Sequence, residues 1–314
     1  MSASPPLPLY QPRRAARSET VRVRTLDYHV RLWGQPSPDR APLVLLHGWM
    51  DVSASWQFVV DAMRESRFII APDWRGFGLT PGGGADNYWL PDYLADLDWL
   101  LDHYAGERPI DLVGHSMGGN VAMHYGGVRP ARIRRLVNLE GFGMPAFRPD
   151  EAPKRYARWI DELKRLHRGE MDLSTYAGPE GVARRLMKTN PRLAADKAEW
   201  LARQWAQPRP GPDGEPRWEI LGEPAHKIVN ANLFRVEEML ALYAAITAPV
   251  LAVEASDDSL SGWWGSRYGL DEYHERLKSV RDVRVARVED AGHMLHHDRP
   301  AEAAVLIEDF LQRG

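Results

Sequence analysis

A serine flanked by glycines, a histidine behind a late glycine and carboxylates between them are the residue types that nucleophilic acyl chemistry requires. Ser116 sits in Gly114-His115-Ser116-Met117-Gly118, directly after the apolar run PIDLV (109–113) and before a helical stretch. A sharp strand-to-helix turn needs small residues two positions either side of its apex, because strand and helix approach closely there. Such a turn lifts the serine hydroxyl clear of a sheet and sets it at the positive end of a helix, where developing negative charge is stabilised.

A serine hydroxyl is a poor nucleophile until a base takes its proton, and histidine is the side chain suited to that task near neutral pH. Among His293, His296 and His297 we assign His293, because it immediately follows Gly292 in the segment between the last apolar strand pattern and the closing helix. A metal cluster at His296, His297 and Asp298 has no further support in the sequence, and no metal is assigned. The base needs a carboxylate to fix its tautomer and to stabilise the imidazolium. VEASDDS (253–259) offers Asp257 and Asp258, and Glu140 ends an earlier strand pattern. Asp258 is favoured by its position in a loop after a strand, within the order Ser…Asp…His, with Asp257 and Glu140 as alternatives. A tetrahedral oxyanion needs two preorganised amides. The backbone N–H of Met117, after the serine, and of Trp49, after His47-Gly48, are the candidates.

The elements that must hold these residues are legible as period and punctuation. Val21, Val23 and Leu26, then Tyr28, Val30 and Leu32, alternate as an antiparallel hairpin would. APLVLLHG (41–48), RFIIAPD (67–73), PIDLVGHS (109–116) and IRRLVNLEG (133–141) are short apolar runs, the look of strands buried on both faces. Helical patterns lie between them at about 53–65, 91–104 and 117–129. This alternation predicts a parallel sheet wrapped by helices. From about Phe142 to Ala248 the rhythm stops, leaving amphipathic helices (154–167, 181–188, 192–205) and a Pro/Gly-rich loop at 207–216. Strand rhythm resumes in 248–256 and 283–290, with a helix near 270–280 and a closing helix at about 300–312.

The 314 residues, 44% of them hydrophobic and 26% charged, suit one globular α/β core carrying a large insertion. A net charge of −3 gives no global basic field for nucleic acid or an anionic membrane, so neither is an expected partner. With no cysteine, disulfides and thiolate metal sites are excluded. No apolar run approaches the roughly 20 residues that span a bilayer, and Arg13-Arg14 is not followed by the apolar segment of an export signal. A cytoplasmic protein is expected.

HGWMD (47–51), PDWRGFGLT (72–80), GHSMGG (114–119), PVLAVEASDD (249–258) and AGHMLHHDRP (291–300) resemble, in order, the motifs of the α/β-hydrolase superfamily. HGW-x-D and D-W-x-G-x-G-L look most similar to its serine hydrolase-like branch. The resemblance covers about residues 20–314, except that the insertion carries no matching motif. It implies an α/β-hydrolase fold with a mostly parallel eight-stranded sheet flanked by helices, an inserted helical cap over the site, an acid at Asp258, and a structural role for Asp73–Gly78. Related dehalogenases keep their acid where Glu140 stands, which leaves that position open as the acid. Carboxylate-nucleophile relatives, the haloalkane dehalogenases and epoxide hydrolases, are excluded by serine at 116.

The expected organisation is therefore a flexible segment at 1–19, a core at 20–141 and 249–314, and a helical cap at 142–248. The expected activity is that of a serine hydrolase acting on a carboxylic ester of a small to medium apolar substrate, without metal or organic cofactor. A C–C bond hydrolase, an acyltransferase or a perhydrolase would use the same triad. From another class, a degenerate ligand-binding protein would have no reason to keep every motif. Trp49 and Trp74 are candidate pocket walls. His226 in the cap and the basic helix 154–168 are expected to be structural and solvated, respectively.

Overall fold

The computed structural model describes residues 9–211 and 214–312. In chain order the strands are β1 (Arg17–Val23), β2 (Leu26–Trp33), β3 (Leu43–Leu46), β4 (Ile69–Pro72), β5 (Ile110–His115), β6 (Ile133–Leu139), β7 (Thr175–Tyr176), β8 (Ala206–Pro210), β9 (Pro216–Ile220), β10 (Val250–Ala255) and β11 (Val283–Val288). The helices are α1 (Gln57–Ala62), α2 (Leu90–Ala105), α3 (Met117–Val128), α4 (Ala152–His167), α5 (Pro179–Thr189), α6 (Ala195–Trp205), α7 (Val236–Ala245), α8 (Ser259–Trp264), α9 (Leu270–Leu277), α10 (Leu295–Asp298) and α11 (Pro300–Gln312).

Eight strands form one sheet in the order β1-β2-β4-β3-β5-β6-β10-β11. The β1–β2 and β2–β4 pairs are antiparallel and all the others parallel, so the expected mostly parallel α/β-hydrolase sheet is observed. The continuous apolar runs follow from burial on both faces: in β3, Val44 and Leu46 join one core with α2, α3 and α7, while Leu43 and Leu45 join the other with α1 and α11. The alternation is the two-residue period of the pleat. Among the described residues, no helix is long and apolar enough to cross a membrane.

Two regions differ from the sequence reading. Residues 1–8 of the expected flexible segment lie outside the described residues, but 9–19 are fastened to the core. Tyr10 Oη and the amides of Arg13 and Arg14 donate to the Asp61 carboxylate (2.6, 3.0 and 2.7 Å), and Arg17 already opens β1. The insertion is not wholly helical either. Most of the segment read as a Pro/Gly-rich loop belongs to the β8–β9 hairpin, which with β7 makes a small antiparallel sheet in the order β7-β9-β8. Proline is tolerated at 208 and 210 because β8 is an edge strand, and at 216 because it is the first residue of β9. Phe58 from the core packs into the insertion's own apolar cluster with Val182, Leu186 and Leu201.

Candidate active site

Ser116 follows β5 and precedes α3 with φ 52° and ψ −115°, a left-handed conformation that is strained for any side chain. The turn is held at both ends, since its N–H donates to Leu139 O (2.8 Å) and its carbonyl accepts from Asn120 N (3.0 Å). The flanking glycines are required by contact: a Cβ on Gly114 would lie 2.2 Å from Gly118 O, and one on Gly118 only 2.3 Å from Leu46 O. Strand and helix could not approach this closely with any side chain at either position.

Three sequence candidates arrive from separate strand ends. His293, between β11 and α10, sets Nε2 2.9 Å from Ser116 Oγ. Its Nδ1 lies 3.2 Å from Glu140 Oε2. With the proton on Nδ1, the ring donates to Glu140 and accepts from the serine hydroxyl, the tautomer a general base requires. Glu140 directly follows β6 in a left-handed turn at φ 56°, and its other oxygen accepts from Ala255 N at 2.7 Å. The carboxylate is thereby fixed before the histidine meets it.

Asp258 does not occupy that position, which corrects the sequence assignment. It is exposed and serves as N-cap of α8, accepting from the amide (3.0 Å) and hydroxyl of Ser261. Asp257 is an exposed partner of Arg192 at 2.7 Å. The physical reason is adjacency: β6 and β10 are neighbours in the sheet, so their C-terminal ends offer two routes to one histidine. Only the β6 route carries its carboxylate inward.

Burial pushes the Glu140 carboxyl up to about 8 and the His293 imidazole down to about 4. Each charged form is penalised alone in this setting. Transfer of the serine proton to His293 would place a cation beside the carboxylate, giving both a counter-charge within hydrogen-bond reach.

The amides of Trp49 and Met117, the candidate oxyanion donors, donate to no protein acceptor among the described residues. Met117 opens α3, so it has no carbonyl one turn back within the helix. Gly48 is tightly packed: a Cβ there would meet His115 Nδ1 at 3.0 Å and Ser116 Cβ at 3.2 Å, so these neighbours would have to give way by a few tenths of an ångström. The loop after β4 supports this corner. Trp74 N and Nε1 donate to His47 Nε2 and O (2.9 and 3.2 Å), and Arg75 makes a bidentate pair with buried Asp96 (2.6 and 2.7 Å). Asp73–Gly78 is structural, as the resemblance implied. Trp74 is fully buried and packs in the core, which corrects its reading as a pocket wall.

A cavity of about 390 Å³ opens over Ser116 and His293. Trp49, Leu186, Leu193, Trp205 and Trp263 make its walls largely apolar, and three of them come from the insertion. Trp263 sits edge-on to the His293 ring with centroids 4.4 Å apart. Sequence reasoning missed Trp205 and Trp263 as wall residues, since nothing local separates them from core tryptophans. It also missed His115, whose Nε2 donates to the carbonyl of His293 (2.7 Å) and so positions the base's backbone. His226 is structural as expected, sandwiched between Phe77 and Tyr88 at 3.6 and 3.7 Å, while its carbonyl accepts from Trp49 Nε1 (3.1 Å). Of the cluster considered at 296–298, Asp298 instead accepts from Gly292 N at 2.9 Å.

This fold and this site geometry define a known class. Residues 41–300 match the model of the α/β hydrolase fold family, and the chain belongs to that family; it is a hydrolase of that superfamily. Within it the similarity runs to the serine hydrolase-like branch. The chain is 27% identical to a serine hydrolase-like protein of Danio rerio, over 96% of this chain and 90% of that one. It is also 35% identical to 2-hydroxy-6-oxo-2,4-heptadienoate hydrolase of Pseudomonas putida, across 33% of this chain and 38% of that one. Among solved structures, the thioesterase domain from the curacin biosynthetic pathway superposes with a TM-score of 0.78 at 21% identity, covering 94% of this chain and 99% of that one, a likeness of fold.

Proposed function

We propose that the protein hydrolyses carboxylic esters through an acyl-enzyme on Ser116. The observation that carries this reading is the hydrogen-bonded chain from Ser116 Oγ through His293 (2.9 Å) to Glu140 (3.2 Å). Oγ attacks the ester carbonyl as His293 Nε2 takes its proton. The amides of Trp49 and Met117 hold the oxyanion. The tetrahedral intermediate collapses, and the alcohol leaves with the proton from His293. Water then attacks the acyl-serine by the same route and the acid departs. A cavity of about 390 Å³ with apolar walls suits a small to medium acyl or alcohol group.

A fluorophosphonate probe tests the nucleophile: labelling of the folded protein and its loss in Ser116→Ala are expected. Absence of labelling on folded wild type would sink the proposal. A series of p-nitrophenyl esters of increasing chain length then reads the size of the acyl pocket. Partial similarity to a C–C bond hydrolase supports a second reading with the same triad, and turnover of a vinylogous 1,5-diketone with no turnover of any ester would select it.

A further inference from the structure

Beside the Ser116–His293 pair lies a set of polar side chains that ester hydrolysis does not use. Asp51, His296 and His297 bring a carboxylate oxygen and two ring nitrogens within 4.8 Å of one another. All three residues are at least 97% buried. Asp51 Oδ2 and His296 Nε2 are 3.9 Å apart, beyond hydrogen-bond distance. Asp51 Oδ2, both ring nitrogens of His296 and Nε2 of His297 lack a hydrogen-bond partner among the described residues. Buried polar atoms are normally satisfied, so a convergent unsatisfied set points to something bound between them.

The set is also oriented from behind. Asp51 Oδ1 accepts from Val52 N (2.8 Å), Trp205 Nε1 (3.0 Å) and Ser55 Oγ, which aims Oδ2 at the histidines. Trp56 packs on His296 and Phe58 on His297, with centroids 5.1 and 5.5 Å apart. The hydrogen bonds that fix Asp51 are of the kind that orients a metal's ligand.

We propose that Asp51, His296 and His297 form a site for a divalent transition metal, typified by Zn²⁺, and that filling it suppresses hydrolysis at Ser116. Two imidazoles and one carboxylate suit Zn²⁺ and its first-row neighbours, whereas Mg²⁺ and Ca²⁺ prefer oxygen alone. Tetrahedral bonds of about 2.0–2.2 Å set ligand atoms about 3.4 Å apart, so side-chain rotation of about an ångström closes the set. Asp51 and His297 line the cavity that contains Ser116 and His293, so the set adjoins the space a substrate would fill. The His115 ring lies 4.2 Å from that of His296 and 4.8 Å from that of His293. A dication one ring away opposes the positive charge that His293 must take up when Ser116 attacks. The inhibitory half of the inference rests on the serine-hydrolase reading; the binding half does not.

The test titrates Zn²⁺ into EDTA-stripped full-length protein by calorimetry and Co²⁺ by visible absorption, with ester hydrolysis followed in parallel. One equivalent is expected to bind, with the Co²⁺ spectrum of a four-coordinate site. Hydrolysis is expected to be lost at saturation and to return with EDTA. His297→Gln and Asp51→Asn should each weaken binding at least about tenfold, since even outer-contact losses reach that size. Circular dichroism shows whether each variant is folded, and His297→Gln, which leaves the hydrogen bonds of Asp51 in place, carries the result if Asp51→Asn is not. No stoichiometric binding, equal affinity in a folded His297→Gln, or binding that leaves hydrolysis unchanged or raised would each overturn the proposal. Fluorophosphonate labelling of the stripped protein separates the two readings. Labelling without metal binding removes the metal site alone, and metal binding without labelling removes the hydrolase reading together with the inhibitory half of this inference, leaving the binding half.

Discussion

Glu140→Gln replaces the carboxylate beside His293 by an amide of the same shape, and the structure sets bounds on the loss. Oε1 of Glu140 accepts from Ala255 N at 2.7 Å while Oε2 faces His293 Nδ1 at 3.2 Å. If the amide oxygen keeps the Ala255 bond, its NH₂ faces Nδ1. The ring then carries its proton on Nε2 and cannot take one from Ser116, a tautomer error that costs about 10⁴ in kcat in serine enzymes. If the amide turns over, the NH₂ opposes Ala255 N–H and a buried donor is stranded, at about 1–3 kcal/mol; the charge-assisted bond to the imidazolium is lost as well, at about 1.5–3 kcal/mol. The stranded donor costs stability rather than rate, so the two routes bracket a fall in kcat of roughly 10- to 10⁴-fold. Asp258→Asn keeps a good N-cap on α8, so it should leave kcat within about twofold and stability within about 0.5 kcal/mol. The assay is kcat on one p-nitrophenyl ester for both variants, with urea unfolding to show that each is folded. A Glu140→Gln enzyme within threefold of wild type, or an Asp258→Asn enzyme losing orders of magnitude, refutes the assignment of Glu140.

Three further outcomes follow from contacts. Gly118→Ala places a Cβ 2.3 Å from Leu46 O, so the β5–α3 corner must open; a loss of soluble folded protein, or of at least about 3 kcal/mol by urea unfolding, is expected, and a wild-type midpoint would contradict the contact. Asp96→Asn leaves the Arg75 guanidinium without its bidentate partner and should destabilise by about 3–5 kcal/mol, a loss under about 1 kcal/mol being inconsistent with a buried pair. Trp263→Ala removes the ring that stands edge-on to His293 in the cavity wall, so kcat/KM should fall about two- to tenfold, chiefly through KM; a selective fall in kcat with KM unchanged would show that the ring acts on the base instead.

The parts of this fold that were legible in the sequence are those whose burial leaves a period. LVLL, IIAP and IDLVGH are apolar or small almost throughout because both faces of the sheet are covered, and the serine turn announces itself through glycines that steric contact demands. The β8–β9 hairpin left no such signal. AQPRP and PRWEI carry three prolines and mostly exposed or half-buried positions, so local composition reads as loop, and only pairing with each other makes them strands. Residues 9–16 were unreadable for a related reason: what orders them lies far along the chain, in the Asp61 carboxylate, the Met63 and Glu65 carbonyls that accept from Arg14, and the Phe58 and Trp200 rings beside Tyr10. The metal-type cluster shows the same limit, since adjacent His296 and His297 take their third partner from position 51 rather than from neighbouring Asp298.

The acid illustrates why order along the chain is weaker than order across the sheet. Ser116, Glu140 and His293 stand at the ends of β5, β6 and β11, and β10 lies between the last two. Chain order Ser…acid…His is satisfied equally by an acid after β6 or after β10, so it could not separate Glu140 from Asp258. Local backbone geometry does. Glu140 leaves β6 in a left-handed turn, its N–H donating to Val253 O at 3.0 Å across the β6–β10 pair. That turn directs the side chain back over β10, to the Ala255 amide and His293. Asp258 sits three residues beyond the end of β10, where its carboxylate is taken up by the first turn of α8. A carboxylate committed to a helix cap on the surface is solvated and cannot be the buried counter-charge of an imidazolium. A buried carboxylate with one oxygen already fixed to a backbone amide can.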